Sequence, residues 1–92
     1  MTRYRVFLSE TARKQLRGLP DRMQERVRDG MMELEGEPTR SRPQADIKKL
    51  RGPRRDYFRM RVGDYRVIYV VEGDRVLVAK ILRRSRAYRW LD

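Results

Sequence analysis

Apolar positions along the chain change period twice, from alternation to helical spacing and back again. Residues 3–8, RYRVFL, alternate as a half-buried strand does: Tyr4, Val6 and Leu8 on one side, Arg3, Arg5 and Phe7 on the other. Helical spacing then begins. Ala12, Leu16 and Leu19 form the stripe of a first helix, which Ser9 or Thr11 can cap and which Gly18, Leu19 and Pro20 break. Met23, Val27, Met31 and Leu34 form the stripe of a second, starting near Pro20 and Asp21, where Asp21 meets the positive end of the helix dipole. A link this short predicts an antiparallel helix hairpin with both apolar faces turned to one sheet.

Residues 36–46, GEPTRSRPQAD, carry two prolines and no apolar period, and read as a loop. IKKL at 47–50 is strand-like, and RGPRRD turns the chain. Residues 57–62, 65–71 and 75–82 then read as a meander of three strands, with turns at Gly63-Asp64 and Glu72-Gly73-Asp74. The basic tail RRSRAYRWLD is expected to end in a short helical turn. The expected fold is α+β in one domain, residues 1–92. It has an N-terminal strand, a helix hairpin, then an antiparallel meander of three to four strands packed on the helices, with a short basic tail.

The meander holds an oddity. A two-residue turn at Gly63-Asp64 sets Val62 opposite Tyr65, Arg61 opposite Arg66 and Arg59 opposite Ile68. Opposite residues project to the same face. Arg59, Arg61 and Arg66 therefore share a face with Tyr57, while Phe58, Met60, Val62, Val67 and Tyr69 turn toward the helices. Like charges across a ladder destabilise it, and no acidic residue is expected among the strand positions of this face. A merely solvated face is the plain alternative; an anion-binding face explains the arrangement better. A three-residue second turn, Glu72 to Asp74, is expected, because a two-residue turn would drive Lys80 under the helices. Arg66 then opposes Lys80, and Lys80, Leu82 and Arg84 join the basic face, with Tyr88 one helical turn beyond Arg84. Guanidinium forks grip phosphate and aromatic rings stack on unpaired bases, so the cluster Tyr57, Arg59, Arg61, Arg66, Arg84 and Tyr88 suits single-stranded nucleic acid.

Composition narrows the chemistry. Among 92 residues, 24 are Lys or Arg and 13 Asp or Glu, a net charge of +11 that attracts polyanions. Apolar runs are too short to span a bilayer, and residues 1–20 lack the apolar core of a signal peptide, so no membrane role is expected. The chain has no Cys and no His. That removes disulfides, Cys- or His-based metal sites and His-dependent nucleophiles, and leaves Arg, Lys, Tyr and carboxylates. No metal and no cofactor are expected. Lys48, Lys49, Arg51, Arg54 and Arg55 form a second basic run. Lys48, Lys49 and Arg54 from that run, Arg86 from the tail, and Tyr57, Arg61 and Lys80 from the sheet are the expected RNA-binding residues.

The segment LRGPRRDYFRMRVGDYRVIYVV, followed by AKILRRSRAYR, resembles the RelE/ParE superfamily of bacterial and archaeal toxins. The order of elements is similar over nearly the whole chain, and the ending RSRAYR is similar to archaeal RelE-type members. The resemblance implies the toxin of a type II toxin–antitoxin pair: a cytoplasmic endoribonuclease that enters the ribosomal A site and cuts mRNA. It implies an acidic antitoxin, the ribosome and mRNA as partners, a monomeric free toxin and a hetero-oligomer with the antitoxin. By motif, the catalytic positions fall on Arg59, Arg66, Arg84 and Tyr88. Relatives often carry lysine where Arg59 stands, one branch has lysine where Tyr57 stands, and a Gly-aromatic or Gly-His pair is replaced here by Leu82-Arg83. ParE-type members instead poison DNA gyrase without cutting RNA, and an inactive RNA-binding relative is a third class. For RNA, the 2′-hydroxyl attacks its own neighbouring phosphate. Arginines stabilise the charge, Tyr88 is the candidate base, and Lys80 or water the candidate acid.

Overall fold

The computed structural model describes residues 3–91, the side chains of residues 88–91 excepted. In chain order its elements are β1 (Arg5–Leu8), α1 (Glu10–Arg17), α2 (Asp21–Gly36), β2 (Asp46–Arg51), β3 (Asp56–Val62), β4 (Tyr65–Glu72), β5 (Arg75–Arg83) and α3 (Arg84–Leu91). The strands form one five-stranded sheet in the order β1-β5-β4-β3-β2. All neighbours are antiparallel except β1, which runs parallel beside β5. The sheet is therefore larger than the expected meander. Val6 and Leu8 pack against the core on the helix side of β5, which draws the first strand into the same sheet as the last.

The helices form where the apolar stripes require. Ser9 accepts the Ala12 N–H at 3.0 Å and caps α1. Ala12, Leu16 and Leu19 are buried, as are Val27, Met31 and Leu34 of α2. At Gly30 an added Cβ would lie 2.8 Å from Met60 Cε, so α2 meets the sheet there so closely that the Met60 side chain would have to shift. α2 has no basic residue in its last turn. Arg42 supplies one from the loop, donating to the carbonyls of Glu33 and Glu37 at 2.9 and 2.8 Å. Tyr69 stands in the core, stacked on Phe58, and its hydroxyl donates to the Pro38 carbonyl at 2.6 Å. Burial pushes its phenol well above the usual tyrosine range, against a smaller opposing effect of Arg42. Among the described residues no helix is long and apolar enough to cross a membrane.

The β3–β4 hairpin has the expected register, with Val62 opposite Tyr65, Arg61 opposite Arg66 and Arg59 opposite Ile68. Gly63 has φ 56° and Asp64 is not in the positive-φ region, the signature of a type II′ turn. The next hairpin differs from expectation in two ways. Its turn is two residues, not three: Glu72 pairs with Arg75, and Gly73 at φ 60° opens a second type II′ turn. Arg66 consequently faces Leu82, not Lys80. The shift comes from a register break in which Tyr69 pairs with Val78 but Ile68 pairs with Lys80, leaving Ala79 as an extra residue. That bulge restores by another route the parity that keeps Lys80 off the helix side. The tail is also more regular than a single turn, since α3 runs through Leu91 and Ala87 is buried.

Candidate functional site

On the face turned away from α1 and α2, side chains fall into cross-strand rungs about 7 Å apart, two residues of strand. The rung nearest the Gly63 turn carries Asp46, Arg61, Arg66 and Leu82. The next carries Lys48, Arg59, Ile68 and Lys80. Beyond it, Leu50 stands opposite Tyr57, and Phe7 and Val70 each stand opposite Leu77. The face thus grades from guanidinium to hydrocarbon.

α3 closes one side of the basic end and makes a cleft of about 160 Å³. That is close to a cavity that holds one benzene ring. Lys48, Arg59, Arg61, Arg66 and Arg84 supply the cations, and Leu50, Ile68 and Ala87 the apolar wall. Arg66 is 7% exposed, and its Nη1 donates to the carbonyls of Gly63 at 3.0 Å and Tyr65 at 2.9 Å. The same turn takes the Arg84 backbone N–H on the Asp64 carbonyl at 2.8 Å. One hairpin turn therefore fixes both a buried guanidinium and the first residue of α3. Arg59 Nη1 lies 3.3 Å from both the carboxylate and the backbone carbonyl of Asp46. The expectation of a face without acidic residues is corrected here: β2 begins one residue earlier than expected, and Asp46 orients Arg59.

The structure brings together Arg59, Arg61, Arg66 and Arg84, as the sequence predicts, and adds Lys48 from the second basic run. Lys80 shares the face beside Ile68, and Tyr57 stands next to Leu50, one rung from Arg59. Three RNA-binding candidates fall elsewhere. Lys49 stands opposite Phe58 on the other face and pairs with Asp56 at 3.3 Å, because alternation in β2 separates it from Lys48. Arg54 lines a different hollow with Lys49, and Arg86 lies on the side of α3 near Tyr65 and Gln15. Tyr88 belongs to α3, and its side chain lies outside the described residues. Sequence reasoning missed Asp46, Leu50 and Ala87. The signal for Asp46 was its place opposite Arg61 once β2 is extended by one residue.

Chemically, the cleft presents guanidinium forks and a lysine to an anion, with an apolar wall fit for one flat ring. Comparison with known proteins places this arrangement in context. A family model described as the ParE toxin of the type II toxin–antitoxin system parDE matches residues 6–88. Toxin RelE3 of Methanocaldococcus jannaschii is 30% identical over 84 residues, covering 91% of this chain and 94% of that protein. The archaeal RelE–RelB complex of Pyrococcus horikoshii superposes with a TM-score of 0.78 at 37% identity, covering 94% of this chain and 99% of the matched chain. The RelBE2 toxin–antitoxin complex of Mycobacterium tuberculosis superposes at 0.74 with 29% identity, covering 89% and 99%.

Proposed function

The chain belongs to the ParE toxin family of type II toxin–antitoxin systems, within the RelE/ParE superfamily, and from that premise we propose that it is an endoribonuclease that cuts mRNA in the ribosomal A site. The observation that carries this reading is the cleft, in which five cations converge on a space about the size of one nucleotide ring. The reaction is transesterification. The 2′-oxygen loses its proton and attacks the adjacent phosphorus, the P–O5′ bond breaks, and the 5′-oxygen takes up a proton. The products are a 2′,3′-cyclic phosphate and a 5′-hydroxyl. Arg66, pinned by two carbonyls, is preorganised to stabilise charge on the crowded phosphate. Arg59 and Arg61 hold the phosphate from β3, and Arg84 meets the leaving oxygen from the start of α3. Tyr88, one helical turn further, is our candidate base. Guanidinium stays protonated and serves charge rather than proton transfer. The same reading gives the toxin mRNA and the ribosome as partners and the cytoplasm as its place. The relatives crystallised as RelE–RelB and RelBE2 complexes support an antitoxin partner, and charge complementarity makes it acidic.

Primer extension on a defined mRNA in translating ribosomes tests the proposal, with wild type beside Arg84→Ala. The Arg84 side chain is exposed, so its loss should leave the fold intact. Wild type should cut within A-site codons, and Arg84→Ala should cut at least about 100-fold more slowly. No cuts at any toxin concentration would overturn the nuclease. The matched family description favours a second reading, a gyrase inhibitor without chemistry of its own. Inhibition of gyrase supercoiling by wild type and by Arg84→Ala alike would support that reading instead.

A further inference from the structure

The extra residue in β5 stands where that strand loses its outer neighbour. β1 ends with Leu8 opposite Val78, so from Ala79 onward the outer edge of β5 has no strand beside it among the described residues. The start of α1 occupies the place. The Ser9 N–H donates to the Val78 carbonyl at 2.9 Å. The Ser9 hydroxyl donates to the Ala79 carbonyl at 2.7 Å while accepting the Ala12 N–H at 3.0 Å. Gln15 Oε1 accepts the Ile81 N–H at 2.7 Å. The Ala79 carbonyl and the Ile81 N–H are thus held by two side chains of one helical segment, and the Val78 carbonyl by its backbone.

We propose that Ser9 and Gln15 are positioning residues for the cleft, acting through the Ala79 bulge on Lys80 and Arg84. This rests on the nuclease reading above for its effect on rate, but not for its effect on backbone geometry. Besides its ladder with β4, the segment from Ala79 to Arg84 is anchored at two further points. One is the bulge, held by Ser9 and Gln15; the other is the Arg84 N–H on the Asp64 carbonyl. Lys80 and Leu82 face the cleft side between these anchors, and Arg84 enters the cleft at the second. The inward positions of β5, Val78 and Ile81, keep Lys80 outward whatever Ser9 does. Ser9 and Gln15 set how firmly the segment is held, not which face it shows. Near a reacting phosphate that firmness matters, because a 1 Å misplacement costs about 100-fold in rate.

A serine hydroxyl has one proton to donate, and here it goes to Ala79. Ser9→Asp keeps a good helix cap but replaces the donor with a carboxylate that repels the Ala79 carbonyl, whereas Ser9→Thr keeps both functions. Gln15→Met removes the acceptor for Ile81, and Gln15→Glu keeps it. The experiment measures single-turnover mRNA cleavage on ribosomes across toxin concentrations, and amide hydrogen exchange at Ile81 in the full chain. In Ser9→Asp and Gln15→Met the maximal rate should fall about tenfold or more, with the half-saturating concentration within about twofold of wild type. Exchange at Ile81 should quicken while that at Val67 stays slow. Ser9→Thr and Gln15→Glu should match wild type in both readouts. Cleavage by Ser9→Asp at the wild-type rate, or equal losses in Ser9→Asp and Ser9→Thr, would overturn the proposal. If wild type itself cuts nothing, the nuclease reading fails, and Ile81 exchange still decides. Quickening confined to Ser9→Asp and Gln15→Met supports positioning, and no change refutes it.

Discussion

Arg61 and Arg66 face each other across β3 and β4, yet the fold treats them differently. Arg66 is buried and held by the carbonyls of Gly63 and Tyr65, whereas Arg61 is exposed. Removing Arg66 takes a buried charged donor from two carbonyls, so Arg66→Ala should destabilise the protein by about 1–3 kcal/mol. Its loss of activity will therefore mix structure with chemistry. Arg61→Ala instead relieves a like-charge pair and should be neutral, or stabilising by a few tenths of a kcal/mol. It should also weaken binding to single-stranded RNA and lower the slope of log affinity against log salt by about 0.7, one phosphate contact. Thermal melts and fluorescence anisotropy at several salt concentrations check both halves. If Arg61→Ala melts as early as Arg66→Ala, the pair is structural and the like-charge argument fails.

Turns and bulges, more than the strands themselves, decide where these cations stand. Gly63 and Gly73 open matching turns with φ 56° and 60°. Their surroundings differ: a Cβ on Gly63 would meet Met23 Cε at 3.0 Å and Arg26 Nη1 at 3.2 Å, and one on Gly73 would meet nothing within 4 Å. Either alanine forces a strained backbone, worth about 1–3 kcal/mol. Only Gly63→Ala disturbs the turn whose carbonyls hold Arg66 and the start of α3. Gly63→Ala should therefore lose cleavage well beyond its loss of stability, while Gly73→Ala at a matched melting temperature should keep it. Equal cleavage by the two would remove the turn from the catalytic argument. This contrast also explains what was legible beforehand. The β3–β4 register could be read because Gly-Asp turn chemistry agrees with the alternation of β3. The β4–β5 register could not, because a bulge breaks the period that the reading relies on. Its trace is the spacing of the inward residues Val76, Val78 and Ile81, two apart and then three. A longer turn and a bulge both satisfy the need to keep Lys80 outward, and only the glycine geometry at Gly73 separates them. Lys49 and Arg54 were misplaced for a simpler reason. A run of basic residues on a strand and its turn looks continuous in sequence, but alternation divides it between two faces. Legibility was good for the meander arginines, and poor for the contacts that α3 and α1 make around them.

At the scale of the whole molecule, a net charge of +11 on 92 residues is distributed unevenly. Several cations away from the cleft have carboxylate neighbours: Arg3 with Glu35, Lys14 with Glu10, Arg42 with Glu33, Lys49 with Asp56 and Arg55 with Glu72. In the cleft, five cations meet the carboxylate of Asp46 through Arg59. The cleft therefore gathers more cations than carboxylates where a polyanion is proposed to bind, and this cluster repels itself when none is bound. Exposed ion pairs add little stability and lose it with salt, whereas repulsion among clustered like charges is relieved by salt. The second effect should win in the free toxin. Its melting temperature should rise as sodium chloride increases from about 0.1 to about 1 M, over which the Debye length falls from about 10 to about 3 Å. Part of that rise should vanish in Arg61→Ala, which thins the cluster without unseating Arg66. In complex with an acidic antitoxin the trend should reverse, since salt then screens attraction across the interface and weakens the binding that stabilises the folded toxin. A free toxin whose melting temperature is flat or falls with salt would show that the cleft's charges are already balanced within the chain. The case for a face built to receive an anion would then lose its energetic ground.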